Sequence, residues 1–300
     1  VAAKQTTVII VNWNGALFLD QLLESIRGEQ VAKTIVIDNA SQDDSLGILA
    51  AHQDIHVIRN PENRGYGAAA NQGIEHCDTP FLLLLNVDVK VCTGSISAME
   101  TYLLKNPAVA LVSPQLLFPD GSMQPSIRSF PTAASLAIYL AYLDRIFPSG
   151  YRKKLWEHRR SDDVDQPMGA AMMLRKSVLE EVEGFDPQFF LYMEEVDLCY
   201  RIKQKGYRIA YLPEAQVIHH AGGSSQQDWD RSQSLFLNSV RLYFEKHAPA
   251  EAQKLRKLLP PALFFRALVL LCLGHLHQSK FYFRKALERF SDRGKPQFRP

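Results

Sequence analysis

LLLLNVDVKV (residues 82–91) runs four leucines into Asn86-Val87-Asp88 and then returns to apolar residues. A strand so apolar is covered on both faces. Its side chains alternate, so Asn86 and Asp88 leave it on the same side. Asn and Asp commonly end strands in plain turns. An amide and a carboxylate brought together at a strand end are also a pair of oxygen ligands. The neighbouring segments decide between these readings.

Upstream, TTVIIV (6–11) is a second doubly covered strand, and Ala16 to Arg27 has Leu19, Leu22, Leu23 and Ile26 at helical spacing. TIVIDNAS (34–41) predicts a strand, Asp44 to Ala51 a short helix, Ile55 to Arg59 a strand, and Gly67 to Glu75 a helix. Phe81 to Leu85 is the fourth strand. Strand and helix in alternation indicate a parallel sheet with crossover helices. Polar residues follow each strand: Asn12 and Asn14, Asp38 and Asn39, Asn60 and Asn63, Asn86 and Asp88. Open α/β sheets bind ligands at that carboxyl edge.

Beyond Val109 the pattern shortens. Val109 to Pro114, Gln115 to Phe118, Gly169 to Arg175, Tyr207 to Tyr211 and Val217 to His220 read as strands. Residues 133–147, Lys176 to Glu183 and Glu194 to Lys205 read as helices, 148–166 as a charged loop, and everything after Asp228 as helical.

Composition excludes several classes. With 46% hydrophobic and 22% charged residues and a net charge of +2, the chain is ordinary globular protein with no general attraction to nucleic acid. Four scattered cysteines without CxxC spacing give no zinc ribbon or disulfide framework and suit a cytosolic location. The apolar run before Asn12 is too short for a signal peptide, and no uninterrupted run of about 20 apolar residues predicts a membrane span.

Three further segments carry chemistry. FFLYMEEVDLCYR (189–201) sets Glu194, Glu195 and Asp197 beside an apolar wall; mutual repulsion raises a carboxyl pKa and favours a general base. The plain alternative is a solvated helix start, where acids suit the dipole. VIHHAGGSS (217–225) offers His219 as a metal ligand or as a core histidine, followed by a loop that permits close backbone approach. NPENRGYGAAANQG (60–73) opens a small-residue helix with two glycines, but it lacks a dinucleotide or P-loop pattern.

In order and spacing, VIIVNWNG, VIDNASQDDS, NPENRGYGAAANQG, LLLLNVDV, the run from MGAAMMLRK to EEVDLCYR, and VIHHAGGSS resemble the family-2 GT-A glycosyltransferases, in their rhamnosyltransferase-like branch. The resemblance spans about residues 6–245. It implies a Rossmann-like, mostly parallel central sheet with helices on both faces. It also implies a catalytic domain over 1–245 and a basic, amphipathic helical extension over 246–300. A nucleotide-sugar donor, Mg²⁺ or Mn²⁺, inversion at the anomeric carbon, and a glycan or lipid-linked glycan acceptor follow from it. Rhamnose from dTDP-rhamnose is the donor it suggests; a UDP-hexose or GDP-sugar donor, or a non-catalytic sugar-nucleotide-binding module, are the alternatives. Asp88, with Asn86, matches the metal motif, Val87 standing where that branch often has proline. His219 matches a second metal ligand, and Asn12, Asn14, Asp38 and Asn63 match the nucleotide pocket. Glu195, in the place of a catalytic aspartate, matches the base, with Glu194 and Asp197 beside it. GFDPQFFLY (184–192) is expected in the acceptor wall.

From Ala252 to the end, eleven lysines and arginines face only Glu288 and Asp292. Residues 260–290 mix large apolar side chains with basic ones. This segment is expected either to lie on the inner face of the cell membrane or to pack on the catalytic domain or a second copy.

Overall fold

The apolar runs of the first half become β1 (Thr6–Asn12), α1 (Ala16–Arg27), β2 (Lys33–Asp38), α2 (Ser45–Ala50), β3 (His56–Arg59), α3 (Tyr66–Glu75) and β4 (Phe81–Asn86) in strict alternation. The computed structural model describes residues 4–143, 163–220 and 228–288. After β4 come β5 (Val89–Val91), α4 (Ser95–Lys105), β6 (Val109–Leu117), β7 (Ile127–Arg128) and α5 (Ala133–Leu140). They are followed by β8 (Gln166–Pro167), β9 (Ala171–Arg175), α6 (Lys176–Glu181), α7 (Glu194–Gln204) and β10 (Arg208–His219). The chain then continues through α8 (Trp229–His247), α9 (Pro249–Cys272) and α10 (Leu276–Leu287).

Eight strands form one sheet in the order β3-β2-β1-β4-β9-β6-β10-β5. β1 runs parallel to β2 and β4, β2 to β3, and β6 to β10. β9 enters between β4 and β6 antiparallel to both, and β5 runs antiparallel to β10. β7 and β8 make a separate two-stranded ribbon.

The leucines of β4 explain why it is central. Leu83 and Leu85 pack with α1 and α4 residues on one face, and Leu82 and Leu84 pack with α3 and α7 residues on the other. All four are fully buried, about 1.5–3 kcal/mol each in removed apolar surface. A third core joins α5, α8, α9 and α10 with Phe189 and Met193.

Two expectations change. The short strands read at 109–114 and 115–118 are the single strand β6, and those at 207–211 and 217–220 are both in β10. β10 carries an irregularity between Leu212 and Gln216, where Pro213 has no N–H for the ladder, so one strand mimics two in the sequence. The helix read over 133–147 is regular to Leu140. Residues 144–162, covering most of the expected charged loop, and the glycines at 222 and 223 lie outside the described residues.

Asp197 is the polar tie between the sheet and the helical part. Its carboxylate is fully buried and meets Arg201 at 2.7 Å, Lys246 at 2.7 Å and His247 at 2.7 Å, joining α7 to the end of α8. Removing it would leave Arg201 and His247 without this carboxylate and Lys246 with Asp186 alone as its counter-charge. Asp197→Ala should therefore cost on the order of 3 kcal/mol, read as a lower urea midpoint; an unchanged midpoint would remove the tie from the account.

Candidate active site

The carboxyl ends of β1, β2, β4 and β10 open into one cavity of about 320 Å³. Val11, Trp13, Asn39, Asn63, Tyr66, Asn86, Val87, Asp88 and His219 line its sheet side. Phe190, Leu191 and Tyr192 form one wall, and Asp228, Arg231, Ser232 and Leu235 from the start of α8 form another.

The Trp13 side is built by buried amide chemistry. Asn12 Nδ2 donates to Asp38 Oδ1 and to Ser41 Oγ, both at 3.0 Å. The Asn14 N–H donates to Ser41 Oγ at 3.0 Å, and the Gln42 N–H donates to Asn14 Oδ1 at 2.7 Å. Asn14 is left-handed (φ 52°), which turns the chain directly after Trp13. Asn12, Asn14 and Asp38 thus brace the loop from behind and do not line the cavity. Asn39 takes the lining place beside Asn63, to which its Nδ2 donates at 2.9 Å.

At the β4 end, Asn86, Val87 and Asp88 all reach the cavity. The strand stops at Asn86, so the simple alternation expected through Asp88 gives way to a turn. Val87 sinks its side chain into the core against Gly15, where an added Cβ would sit 2.6 Å from it. Asp88 is then followed by β5, whose pairing with β10 sets Val89 opposite His219. His219 Nε2 lies 3.5 Å from Asp88 Oδ1, and both side chains are buried. His219 Nδ1 is hydrogen-bonded to Gln124 Oε1 at 2.8 Å, which turns Nε2 toward the carboxylate. An imidazole nitrogen and a carboxylate oxygen facing each other in a buried pocket fit a divalent cation between them, and the Gln124 contact is the outer-shell support such histidines use.

Glu194 and Glu195 begin α7 behind Tyr66. Met193 before them is left-handed (φ 66°), as is Tyr192 (φ 67°), a strained pair at the mouth of the helix. Tyr192 is held by a 2.5 Å hydrogen bond between its hydroxyl and Ser232 Oγ. Tyr66 Oη, Glu194 Oε2 and Glu195 Oε2 are buried and unpartnered among the described residues. Burial raises both carboxyl pKa values; at Glu194 the neighbouring Glu195 charge adds to it. At Glu195, backbone N–H groups at the helix start and the Arg128 charge oppose the rise without cancelling it. Burial first, then both glutamates, push the Tyr66 hydroxyl up as well. A Cβ on Gly169 would lie 3.4 Å from that of Glu195, so the glutamate is packed close against the β8–β9 connection.

The site therefore brings together Asn63, Asn86, Asp88 and His219, sets Glu194 and Glu195 behind its Tyr66 wall, and leaves Asp197 in the tie described above. Trp13, Tyr66, Gln124, Arg128 and Arg231 were not singled out from sequence, and Asn39 was named there only as a strand-end polar residue. Trp13 and Asn39 lay inside quoted motifs, whereas Gln124 and Arg128 belong to a segment with no recognisable pattern. A separate histidine–carboxylate cluster, Asp20, Glu24 and His52, sits on α1 and after α2. Arg27 already bonds His52 Nδ1 at 3.1 Å and Glu24 at 2.6 Å there.

Comparison with known proteins settles the family. The pattern described as glycosyl transferase family 2 matches residues 7–183, and that of glycosyl transferase family group 2 matches 158–283. The chain belongs to glycosyl transferase family 2. It is 27% identical over 239 residues to the N-acetylglucosaminyl-diphospho-decaprenol L-rhamnosyltransferase of Mycobacterium tuberculosis, covering 74% of this chain and 78% of that one. It is 26% identical over 255 residues to rhamnosyltransferase WbbL of Escherichia coli K12, covering 80% and 92%. The enzyme is thus a glycosyltransferase of rhamnosyltransferase-like type. The mannosyltransferase PcManGT of Pyrobaculum calidifontis, solved with GDP-Man and Mn²⁺, superposes with a TM-score of 0.55 at 17% identity, over 95% of this chain and 82% of its own. GalNAc-T7, solved with UDP, GalNAc and Mn²⁺, gives 0.55 at 16% identity, over 73% and 44%. The fold is GT-A.

The raised glutamate pair makes stability depend on pH. A carboxyl whose folded pKa is raised stabilises the fold below its unfolded value near 4.5, and that stability is lost as pH rises through the folded value. Glu194→Gln should accordingly raise the melting temperature at about pH 8 by more than at about pH 5. Equal shifts at both would mean that Glu194 is already solvated in the folded protein.

Proposed function

We propose that this glycosyltransferase is inverting and metal-dependent, and that it moves rhamnose from dTDP-rhamnose to a lipid-linked glycan. The observation that carries the reading is the 3.5 Å approach of His219 Nε2 to Asp88 Oδ1, oriented by Gln124, on a sheet edge backed by two raised glutamates. The likeness to two rhamnosyltransferases, one named for a diphospho-decaprenol substrate, supports the donor sugar and the acceptor class.

Each residue then has a physical task. Asp88 and His219 would hold Mg²⁺ or Mn²⁺, whose charge would be supplied to the departing diphosphate. Trp13 offers a flat face for the nucleobase, and Asn39 and Asn63 offer amide donors and acceptors beside it. Arg231, at the opposite wall, brings positive charge toward the phosphates. The acceptor lies along Phe190, Leu191 and Tyr192, which exclude water from the reacting carbon.

Glu195 is the base. Its raised pKa makes it a stronger proton acceptor than an exposed glutamate. The acceptor oxygen forms its bond to the anomeric carbon from the side opposite the diphosphate. The carbon–oxygen bond to phosphate breaks, the hydroxyl proton passes to Glu195, and the nucleoside diphosphate leaves with the bonding pair. One displacement inverts the centre. A role in sugar-nucleotide binding alone would give no reason to bury two adjacent carboxyl groups, each with one oxygen unpaired.

Two substitutions separate these tasks. Glu195→Gln should lower turnover by about 10²–10⁴-fold while donor affinity in a calorimeter stays within about two-fold; parallel loss of both would refute the base assignment. Asp88→Asn should weaken donor binding in Mn²⁺ and leave the residual binding in chelator unchanged. Loss of the chelator-insensitive part alone would move the cation elsewhere.

A further inference from the structure

Helix α9 is apolar on two opposite faces. Leu255, Leu259, Leu263, Ala267 and Leu270 are buried against the neighbouring helices. Phe264, Phe265, Leu268 and Leu271, at helical spacing on the other side, are 39–47% exposed. The turn that follows exposes Leu273 at 63% and Leu276 at 58%. Of the fourteen large exposed apolar residues among those described, eight fall between Leu258 and Leu287. A helix with apolar residues all round is covered by protein or meets lipid. No described helix is long and apolar enough to cross a membrane. A surface-lying helix is the remaining lipid geometry.

The charges choose the occupant. Seven lysines and arginines lie between Pro249 and Glu288 against Glu251 and Glu288. Lys254 and Lys257 continue the exposed stripe of α9 toward its start, and Lys280 and Arg284 are exposed along α10. Arg266 is stacked on the Tyr142 ring at 4.0 Å and the Tyr282 ring at 4.5 Å. It leaves the exposed face uninterrupted. A symmetric pairing of two copies through this face would bring like charges together. An anionic bilayer matches both its apolar centre and its basic flank.

Its position relative to the cavity gives the contact a purpose. His277 Nε2 bonds Asp230 at 2.8 Å, and Trp229 packs edge-on to Phe281 with ring centroids 5.2 Å apart. The α9–α10 turn is thereby fixed to the first turn of α8, whose Asp228, Arg231 and Ser232 line the cavity.

We infer that the exposed stripe of α9 and the α9–α10 turn seat the enzyme on an anionic lipid surface, with the cavity beside the headgroups. That orientation rests on the proposed lipid-linked acceptor; the membrane contact itself does not.

Sedimentation with vesicles tests it. The full chain should pellet with phosphatidylcholine vesicles containing about one-third phosphatidylglycerol, and should be released by salt or by omitting the anionic lipid. A triple variant, Leu268→Glu with Leu271→Glu and Leu273→Glu, should lose vesicle partition at least about ten-fold, more than any one unfavourable apolar-to-charge change requires. A charge variant, Lys257→Glu with Lys280→Glu and Arg284→Glu, should lose the anionic preference. Nucleotide-sugar binding, measured on the same samples, should be unchanged in both variants, which shows that they are folded. Wild-type protein that stays in the supernatant, or variants that pellet as before, would overturn the inference. So would a wild-type dimer in light scattering that the triple variant converts to monomer, because a second copy would then cover the face. Vesicle binding without donor binding would instead count against the proposed function alone.

Discussion

The pairing of three-residue β5 with the end of β10 is the constraint on which the site depends. β4 is a straight, doubly buried strand, and left to continue it would carry Asp88 onward along the sheet. Val87 is pinned in the core against Gly15, where any Cβ would also strike Asn12 Oδ1 at 2.4 Å. The chain turns there, and the antiparallel register of Val89 with His219 brings the histidine beside Asp88. The His220 N–H closes the corner by donating to the Asp88 carbonyl at 2.9 Å. The end of β1, the start of α1, the end of β4 and the end of β10 are therefore mutually fixed. That rigidity is what a site of pre-set geometry requires.

A second dependence runs through residues 124–128. Gln124 accepts from the imidazole of His219, and Arg128, in β7, places its charge near Glu195. One five-residue segment thus touches both chemical centres, the histidine–carboxylate corner and the buried glutamate. β7 is held by its pairing with β8, and Met168 N–H donates to Ser126 O at 2.7 Å. The connection that leads to β9 also passes Gly169 against Glu195. Displacing this ribbon would disturb both centres together, which links the two halves of the proposed chemistry mechanically.

Much of the fold was legible because local pattern and tertiary context agree in the first half. Doubly covered strands, amphipathic helices and strand-end polar clusters each announce themselves in TTVIIV, TIVID and LLLLN. What could not be read follows from non-local physics. Nothing in AMMLR distinguishes β9 from a parallel strand, since direction is set by the connection and by the gap between β4 and β6. Asp38 sits at the end of β2, and its hydrogen bonds to Asn12 and to the Ser41 N–H are contacts that no local pattern in TIVID announces. Asp197 shares a motif with Glu194 and Glu195, but two positions along α7 separate a carboxylate behind the cavity from one buried among Arg201, Lys246 and His247. Gln124 has meaning only through a histidine 95 residues away.

The proposed chemistry requires that the Asp88–His219 corner bind a nucleotide sugar through a divalent cation. Titrating the full chain with dTDP-rhamnose in a calorimeter, in Mn²⁺ and again in excess chelator, addresses this most directly, with UDP- and GDP-sugars as competitors. Saturable heat with dTDP-rhamnose in Mn²⁺, largely abolished by chelator and weaker for the other nucleotides, is the predicted result. Equal binding with and without the cation would contradict the role given to that corner, and preference for another nucleotide would contradict the donor.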